Sequence, residues 1–172
     1  MIKKNSFTVV VMAVLLLPVQ GLPAQDNKVI DIAYLTQQKV APPALSNLDP
    51  QVTDKGVQGA RLAIKDNNTT GQFTGQAFVL HEFVVPVDGD VLETFEIIDK
   101  QGYPFVIVNL PAEQLKQVAG QKVTTSQLLF DVATRDDQLR YEYCWPNVLH
   151  LLPSRAMRAD ALAQYMSVSY TH

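Results

Sequence analysis

The sequence predicts an α/β fold, a Rossmann-like open parallel sheet flanked by helices. Strand and helix signals alternate in near-strict order from Lys28 onward, as a parallel sheet covered by helices requires. Phe105 to Asn109 (FVIVN) is a short continuous apolar run, the kind buried on both faces of such a sheet. The right-handed crossover rule then favours the Rossmann-like arrangement.

Each element has its own local reason. Lys28 to Leu35 (KVIDIAYL) carries β-branched and apolar residues and reads as the first strand. Thr36 to Pro50, polar and interrupted by Pro42, Pro43 and Pro50, reads as a long loop. Asp54 to Asn67 places Val57, Ala60 and Ile64 at helical spacing, with Ala63 beside them. Gly56 and Gly59 lower its helix propensity but allow close packing on a sheet. Asn67-Asn68-Thr69-Thr70-Gly71 has the turn chemistry to end it.

Gln76 to Val85 is the second strand, stopped by Pro86. Asp90 to Lys100 follows as a helix, with Asp90 as cap, Glu93 placed as in a capping box, and Gly102 as terminator. Its apolar stripe is Val91, Phe95 and Ile98. Phe105–Asn109 is the third strand. A helix opening near Pro111 carries Leu115 and Val118 and ends at Gly120. Ser126 to Val132 is a fourth strand and Asn147 to Leu152 a fifth. A last helix, capped by Ser154, puts Met157, Ala161 and Tyr165 on one face. Ligands of such sheets sit at the carboxyl ends of the strands, hence at the loops after Leu35, Val85, Asn109 and Asp131.

Lys3 and Lys4, an apolar run from Phe7 to Leu17, and the small-residue exit Leu22-Pro23-Ala24 make residues 1–24 a secretory signal peptide. The run is short for a membrane span, which takes about 20 residues. Cleavage after Ala24 is expected, with Gly21 as the alternative. Residues 25–172 form the mature domain and the periplasm is the expected compartment. Removing the leader takes two lysines and no acid from a chain of net charge −3, so the mature protein is more acidic still. No Lys/Arg run survives in it, which argues against nucleic acid or an anionic membrane as partner. Cys144 is the single cysteine, read as a free thiol or one paired outside this sequence. No G-x-S-x-G elbow and no Cys–His spacing supports a hydrolase.

Gly59-Ala60-Arg61-Leu62-Ala63-Ile64-Lys65-Asp66-Asn67-Asn68 resembles the first helix of the branched-chain-amino-acid (type I) class of periplasmic substrate-binding proteins. Ala133-Thr134-Arg135-Asp136-Asp137-Gln138-Leu139 sits where that family has a ligand-facing turn. Asn147-Val148-Leu149-His150-Leu151-Leu152-Pro153-Ser154 sits where it has a strand leading into a helix. With the stretch Tyr34 to Leu48, the chain is similar to the subgroup of ABC-transporter binding proteins encoded beside PQQ-dependent alcohol dehydrogenase systems. The resemblance runs to about Tyr165. It implies the first lobe of a two-lobed receptor, incomplete here, with Met166 to His172 reading as a truncated or out-of-frame end. Apolar surface left by missing elements would favour poor solubility or dimerisation.

The resemblance also implies a function: the non-catalytic, exported solute-binding component of an ABC importer, closing two lobes on a small organic solute. Its partners would be that solute and the transporter's membrane permease, with no cofactor. The alternative is an accessory or sensory module of a periplasmic quinoprotein alcohol-oxidation system. Related binders hold solute at the turns after the third and fourth strands, which here contain Asn109, Ala133 and Thr134. Thr134 is read equally as ligand donor or helix cap, and Asn109 more as cap. Asp131 would repel an anionic solute, which sets an ordinary amino acid in doubt. Asp136-Asp137 read as helix-dipole partners rather than metal ligands. His81 lies on a strand without the second histidine of a zinc-protease helix. His150 reads as a hydrogen-bonded core or rim residue, and Tyr141, Tyr143 and Trp145 as packing around Cys144. Asn68-Thr69-Thr70 spells a glycosylation sequon.

Overall fold

Alternating side chains of the first strand build the fold. In this computed structural model, which describes residues 28–40, 43, 46, 54–121 and 127–169, β1 spans Lys28–Gln37. It pairs with β2 (Gln76–Val85) on one side and β3 (Phe105–Asn109) on the other. The strand outlasts its expected end at Leu35 because pairing continues: Thr36 faces Val84 and Asn109 in both neighbours, and Gln37 faces Val85 in β2. β4 (Leu128–Asp131) and β5 (Val148–His150) complete an all-parallel sheet of order β2-β1-β3-β4-β5. The expected α/β open parallel sheet is the fold of this protein.

One face of the sheet is clad over β3, β4 and the carboxyl half of β1, while Val29 and Val79 on the same face stay exposed. Ala33 and Leu35 stand level with Val106 and Val108, and these with Leu129 and Asp131. Against them pack α2 (Val91–Gln101) and α3 (Ala112–Gly120). α2 follows its sequence signals closely. Asp90 accepts the N–H groups of Leu92 and Glu93, Gly102 ends the helix in the left-handed conformation, and Val91, Phe95 and Ile98 are all buried. Leu115, Val118 and Ala119 do the same for α3.

The other face is thinner. Tyr34 and Thr36 point to it, and α1 (Val57–Thr74) crosses it beside β2. Phe105, Ile107 and Phe130 are half-buried there, and Leu128 and Leu149 are exposed. FVIVN is thus sealed on one face only, because no described helix covers β3 to β5 on the Tyr34 side as α2 and α3 do on the other.

Five further elements depart from expectation. α1 does not stop at Asn67; it runs on to Gly75, whose left-handed φ of 66° terminates it. The polar run stays helical because its side chains bond outward or back along the helix. Asn68 exchanges two hydrogen bonds with the Phe78 backbone, Nδ2 donating at 2.9 Å and Oδ1 accepting at 2.7 Å, while Asn67 and Thr69 return to the carbonyls of Ala63 and Asp66. A one-turn helix, α4 (Gln138–Tyr141), lies between β4 and β5 and drives Leu139 into the core. It is too short to leave a periodic pattern. β4 and β5 are shorter than expected, and Ser126 lies outside the described residues. α5 (Arg155–Ser169) is opened by Ser154, whose Oγ accepts the Met157 N–H, yet none of its described residues is buried. Met157, Leu162 and Tyr165 are exposed, so the apolar stripe exists without a partner among the described residues. Residues 1–24, most of the loop from Ala41 to Thr53, and residues 170–172 lie outside the described residues. No described helix is long and apolar enough to cross a membrane.

Candidate ligand-binding cleft

Strand order reverses between β1 and β3: the chain leaves β1 toward β2 and leaves β3 toward β4. The loops at those carboxyl ends therefore diverge, and a crevice opens where they part. Two clefts occupy this end of the sheet and share Lys39. The larger, about 760 Å³, lies over β1 and β2 and is lined by Thr36, Gln37, Gly56, Arg61, Glu82 and Asn109 among others. The smaller, about 420 Å³, lies over β3 and β4 between Leu110–Ala112, Ala133–Asp136 and Arg155.

The floor of the larger cleft is a packed polar cluster. Tyr34 is buried at 2 % exposure, and its hydroxyl accepts the Asn109 Nδ2–H at 2.8 Å. The Thr36 hydroxyl donates to the Asn109 carbonyl at 3.2 Å. Gly56 lies directly over this pair with φ 96°, and a Cβ there would sit 2.6 Å from the Tyr34 oxygen and 2.9 Å from Asn109 Nδ2. Only glycine allows α1 to start this close to the sheet. On the wall, Arg61 forks onto Glu82, Nε to Oε1 at 2.6 Å and Nη2 to Oε2 at 2.7 Å. The guanidinium holds the Glu82 carboxyl below its ordinary range, chiefly by hydrogen bonding and against a small burial penalty. Gln37 pins the β2–α2 loop: its amide faces the carbonyls of Pro86, Val87 and Gly89, while its oxygen accepts from Gln114 of α3.

The sequence-named site residues divide between the two clefts. Asn109 lines the larger one, Ala133 and Thr134 the smaller. Asn109 does not cap α3; Pro111 occupies that position without a side-chain bond, and the Asn109 amide turns down to Tyr34 instead. The donors of Ala133 and Thr134 face inward. Both N–H groups go to Asp131 Oδ1, at 3.1 and 2.9 Å, and the Thr134 hydroxyl goes to Oδ2. Thr134 therefore closes the β4 turn rather than capping the helix that follows.

Asp131 is the residue that sequence reasoning misplaced. It was expected to face an anion and repel it. Instead it is fully buried, with both oxygens saturated by the turn and by His150 Nδ1 at 2.7 Å. The pairing follows from register, since Asp131 and His150 are opposite one another on β4 and β5. His150 is thus the hydrogen-bonded rim residue its position suggested.

Asp136 and Asp137 serve helix starts, as expected of adjacent acids. Asp136 accepts the Gln138 N–H, and Asp137 accepts the Ala156 N–H of α5. The Asp137 carboxyl is held below its usual value first by the Ser154 hydroxyl, with burial opposing and Arg140 and Arg155 assisting. Among the described residues no three or more His, Cys, Asp or Glu side chains are grouped so as to hold a metal ion. His81 pairs with Asp31 at 2.8 Å and lies 4.7 Å from the Tyr103 ring, on a strand as expected. Tyr143 stacks on Trp145 and receives Lys116 over its ring, while Cys144 is exposed and free. The Asn68 sequon sits in a helix with its amide bonded to β2, not in a surface loop.

No family model, no curated protein and no solved structure matches this chain. The clefts and the residues around them are therefore the basis for a functional reading.

Proposed function

We propose that this protein is the exported solute-binding component of an ABC importer, holding a small organic solute against the carboxyl ends of its strands. The observation that carries the reading is the pair of open clefts meeting at Lys39, where the strand order reverses. Both lie on the surface of one α/β layer, so solute is held from one side and covered by a second body, as in hinge closure. The polar groups beneath are engaged with one another, which makes the floor a rigid platform rather than a set of reacting groups. The resemblance carried by Gly59–Asn68 and Ala133–Leu139 supplies the periplasmic compartment and the permease as partner.

The test is a solute panel read by thermal melting of the full chain. At about a hundred times Kd, a bound solute raises Tm by about 5 °C or more. Ala133→Trp, which fills the smaller cleft, removes that rise while leaving the melt cooperative. A panel of amino acids, organic acids, alcohols and phosphate esters that leaves Tm unmoved would refute the reading.

A further inference from the structure

The smaller cleft carries a charge imbalance that its own side chains leave open. Arg135 follows the β4 turn and Arg155 opens α5, and the Arg155 N–H donates to the Arg135 carbonyl at 3.1 Å. That backbone bond holds two guanidinium-bearing residues side by side at the ends of different strands. Both are exposed and both line the cleft, as does Lys39. None of the three forms an ion pair or a side-chain hydrogen bond among the described residues, whereas Arg61 and Lys116 elsewhere are paired. Like charges gathered in a concavity repel one another and focus a positive potential outward. Such an arrangement is relieved by an anion.

The nearby acids relieve it only in part. Asp136 is the one carboxylate lining the cleft among the described residues, and it accepts the Gln138 N–H. Asp137 is tied to Ser154 and to the Ala156 N–H, and its charge is shared between Arg140 and Arg155. Asp131 is buried beneath and saturated. Three cations line the cleft against one lining carboxylate, Asp136, with the charge of Asp137 acting on Arg155 from beside it, so positive charge remains in excess. The first turn of α3 also enters the rim without a side-chain cap, its partial positive charge offset in part by Glu113 in the same turn.

We propose that the smaller cleft takes a small dianion, either a dicarboxylate or a phosphate-type oxyanion, with Arg135 and Arg155 each forking onto one anionic group and Lys39 closing over them. The inference rests on the solute-receptor reading and narrows it by ligand class. A zwitterionic amino acid is disfavoured, because its ammonium would meet two guanidinium groups and no unengaged carboxylate.

The experiment is calorimetric titration of the full chain with succinate, inorganic phosphate and leucine as probes. Arg135→Gln, Arg155→Gln and the control Arg158→Gln on α5 are titrated in parallel. Succinate or phosphate is expected to bind, weakening about tenfold in each cleft variant and not in the control. It should also weaken with added salt. Preference between the two probes distinguishes a dicarboxylate from a phosphate ligand. The side chains are exposed, so the variants should melt as wild type does, and that is checked by circular dichroism. Dianion binding that ignores both substitutions, or leucine binding in place of the dianions, overturns the inference; in the second case the solute-receptor reading stands. If no dianion binds, the inference falls, and the receptor reading falls with it only when the wider solute panel also leaves Tm unmoved.

Discussion

His150 Nδ1 lies 2.7 Å from Asp131 Oδ2 and joins the carboxyl ends of β4 and β5 beneath the smaller cleft. The same carboxylate gathers the Ala133 and Thr134 N–H groups and the Thr134 hydroxyl, so one buried side chain sets the shape of the whole turn. Exchanging one carboxylate oxygen for an amide NH2 keeps an acceptor for the turn's two N–H groups but sets a buried donor against the Thr134 hydroxyl and His150. Asp131→Asn should therefore destabilise the fold by about 3 kcal/mol in urea unfolding. His150→Ala should cost less, since it leaves the turn's internal bonds intact. A loss under about 1 kcal/mol for Asp131→Asn would mean that the turn holds without its carboxylate.

The glycines of α1 predict changes of opposite sign. A Cβ at Gly59 meets nothing within 4 Å, so Gly59→Ala should stabilise by about 0.5 to 1 kcal/mol through helix propensity alone. Gly71 is different, because a Cβ there would lie 2.2 Å from the Gln76 carbonyl oxygen, a backbone atom that cannot swing away. Gly56 combines a positive φ with the crowding of Tyr34 and Asn109. Substituting alanine at either should cost about 2 kcal/mol or more. Thermal melts of the three variants would show one gain and two losses. A loss for Gly59→Ala would mean that its close-packing role, not its propensity, dominates.

These contrasts show which parts of the fold are legible in a sequence. α2 is readable because its cap, stripe and terminator are all local: Asp90, then Val91, Phe95 and Ile98, then Gly102. The alternation of elements likewise reports the parallel sheet. The end of α1 is not readable, because what keeps Asn67 to Thr74 helical includes a pair of bonds from Asn68 to a strand not yet formed when the chain is read in order. The same holds for Asp131, whose local surroundings suggest a solvent-facing turn while its partner His150 comes from the next strand. Both clefts lie among the carboxyl-end loops that the sequence singles out. Which donors face outward depends on contacts between distant segments: the N–H groups of Ala133 and Thr134 turn inward to Asp131, while the Arg135 and Arg155 side chains stay exposed beside them.

Asn68 offers a direct test of that long-range tie. Its amide and carbonyl satisfy both backbone groups of Phe78 on the edge strand β2. Asn68→Ala removes both bonds and should cost about 1 to 2 kcal/mol, with faster amide exchange at Phe78. Asn68→Asp keeps an acceptor for the Phe78 N–H but loses the donor and sets a carboxylate against the Phe78 carbonyl. It should protect the Phe78 amide while still lowering stability. Unchanged exchange at Phe78 in Asn68→Ala would show that the N–H is satisfied by other means.

Arg61 and Glu82 set a pH dependence with a definite sign. The Glu82 carboxyl is held below its ordinary 4.5, first by the Arg61 hydrogen bond and then, against a burial penalty, by the charge of Arg61. A carboxyl depressed in the folded state stabilises fully above its unfolded pKa, and that contribution disappears as pH falls through the lower folded value. Stability measured from neutral pH down to about pH 3 should thus decline below 4.5, while Glu82→Gln lacks this part of the decline. The two proteins should converge at the acid end. Asp137, also depressed, adds a later decline below 3.8 that both proteins share. Because the Arg61 side chain is half exposed, added salt should shrink the gap between them at neutral pH. A gap that stays constant across the pH range would assign the effect of Glu82→Gln to packing instead of charge.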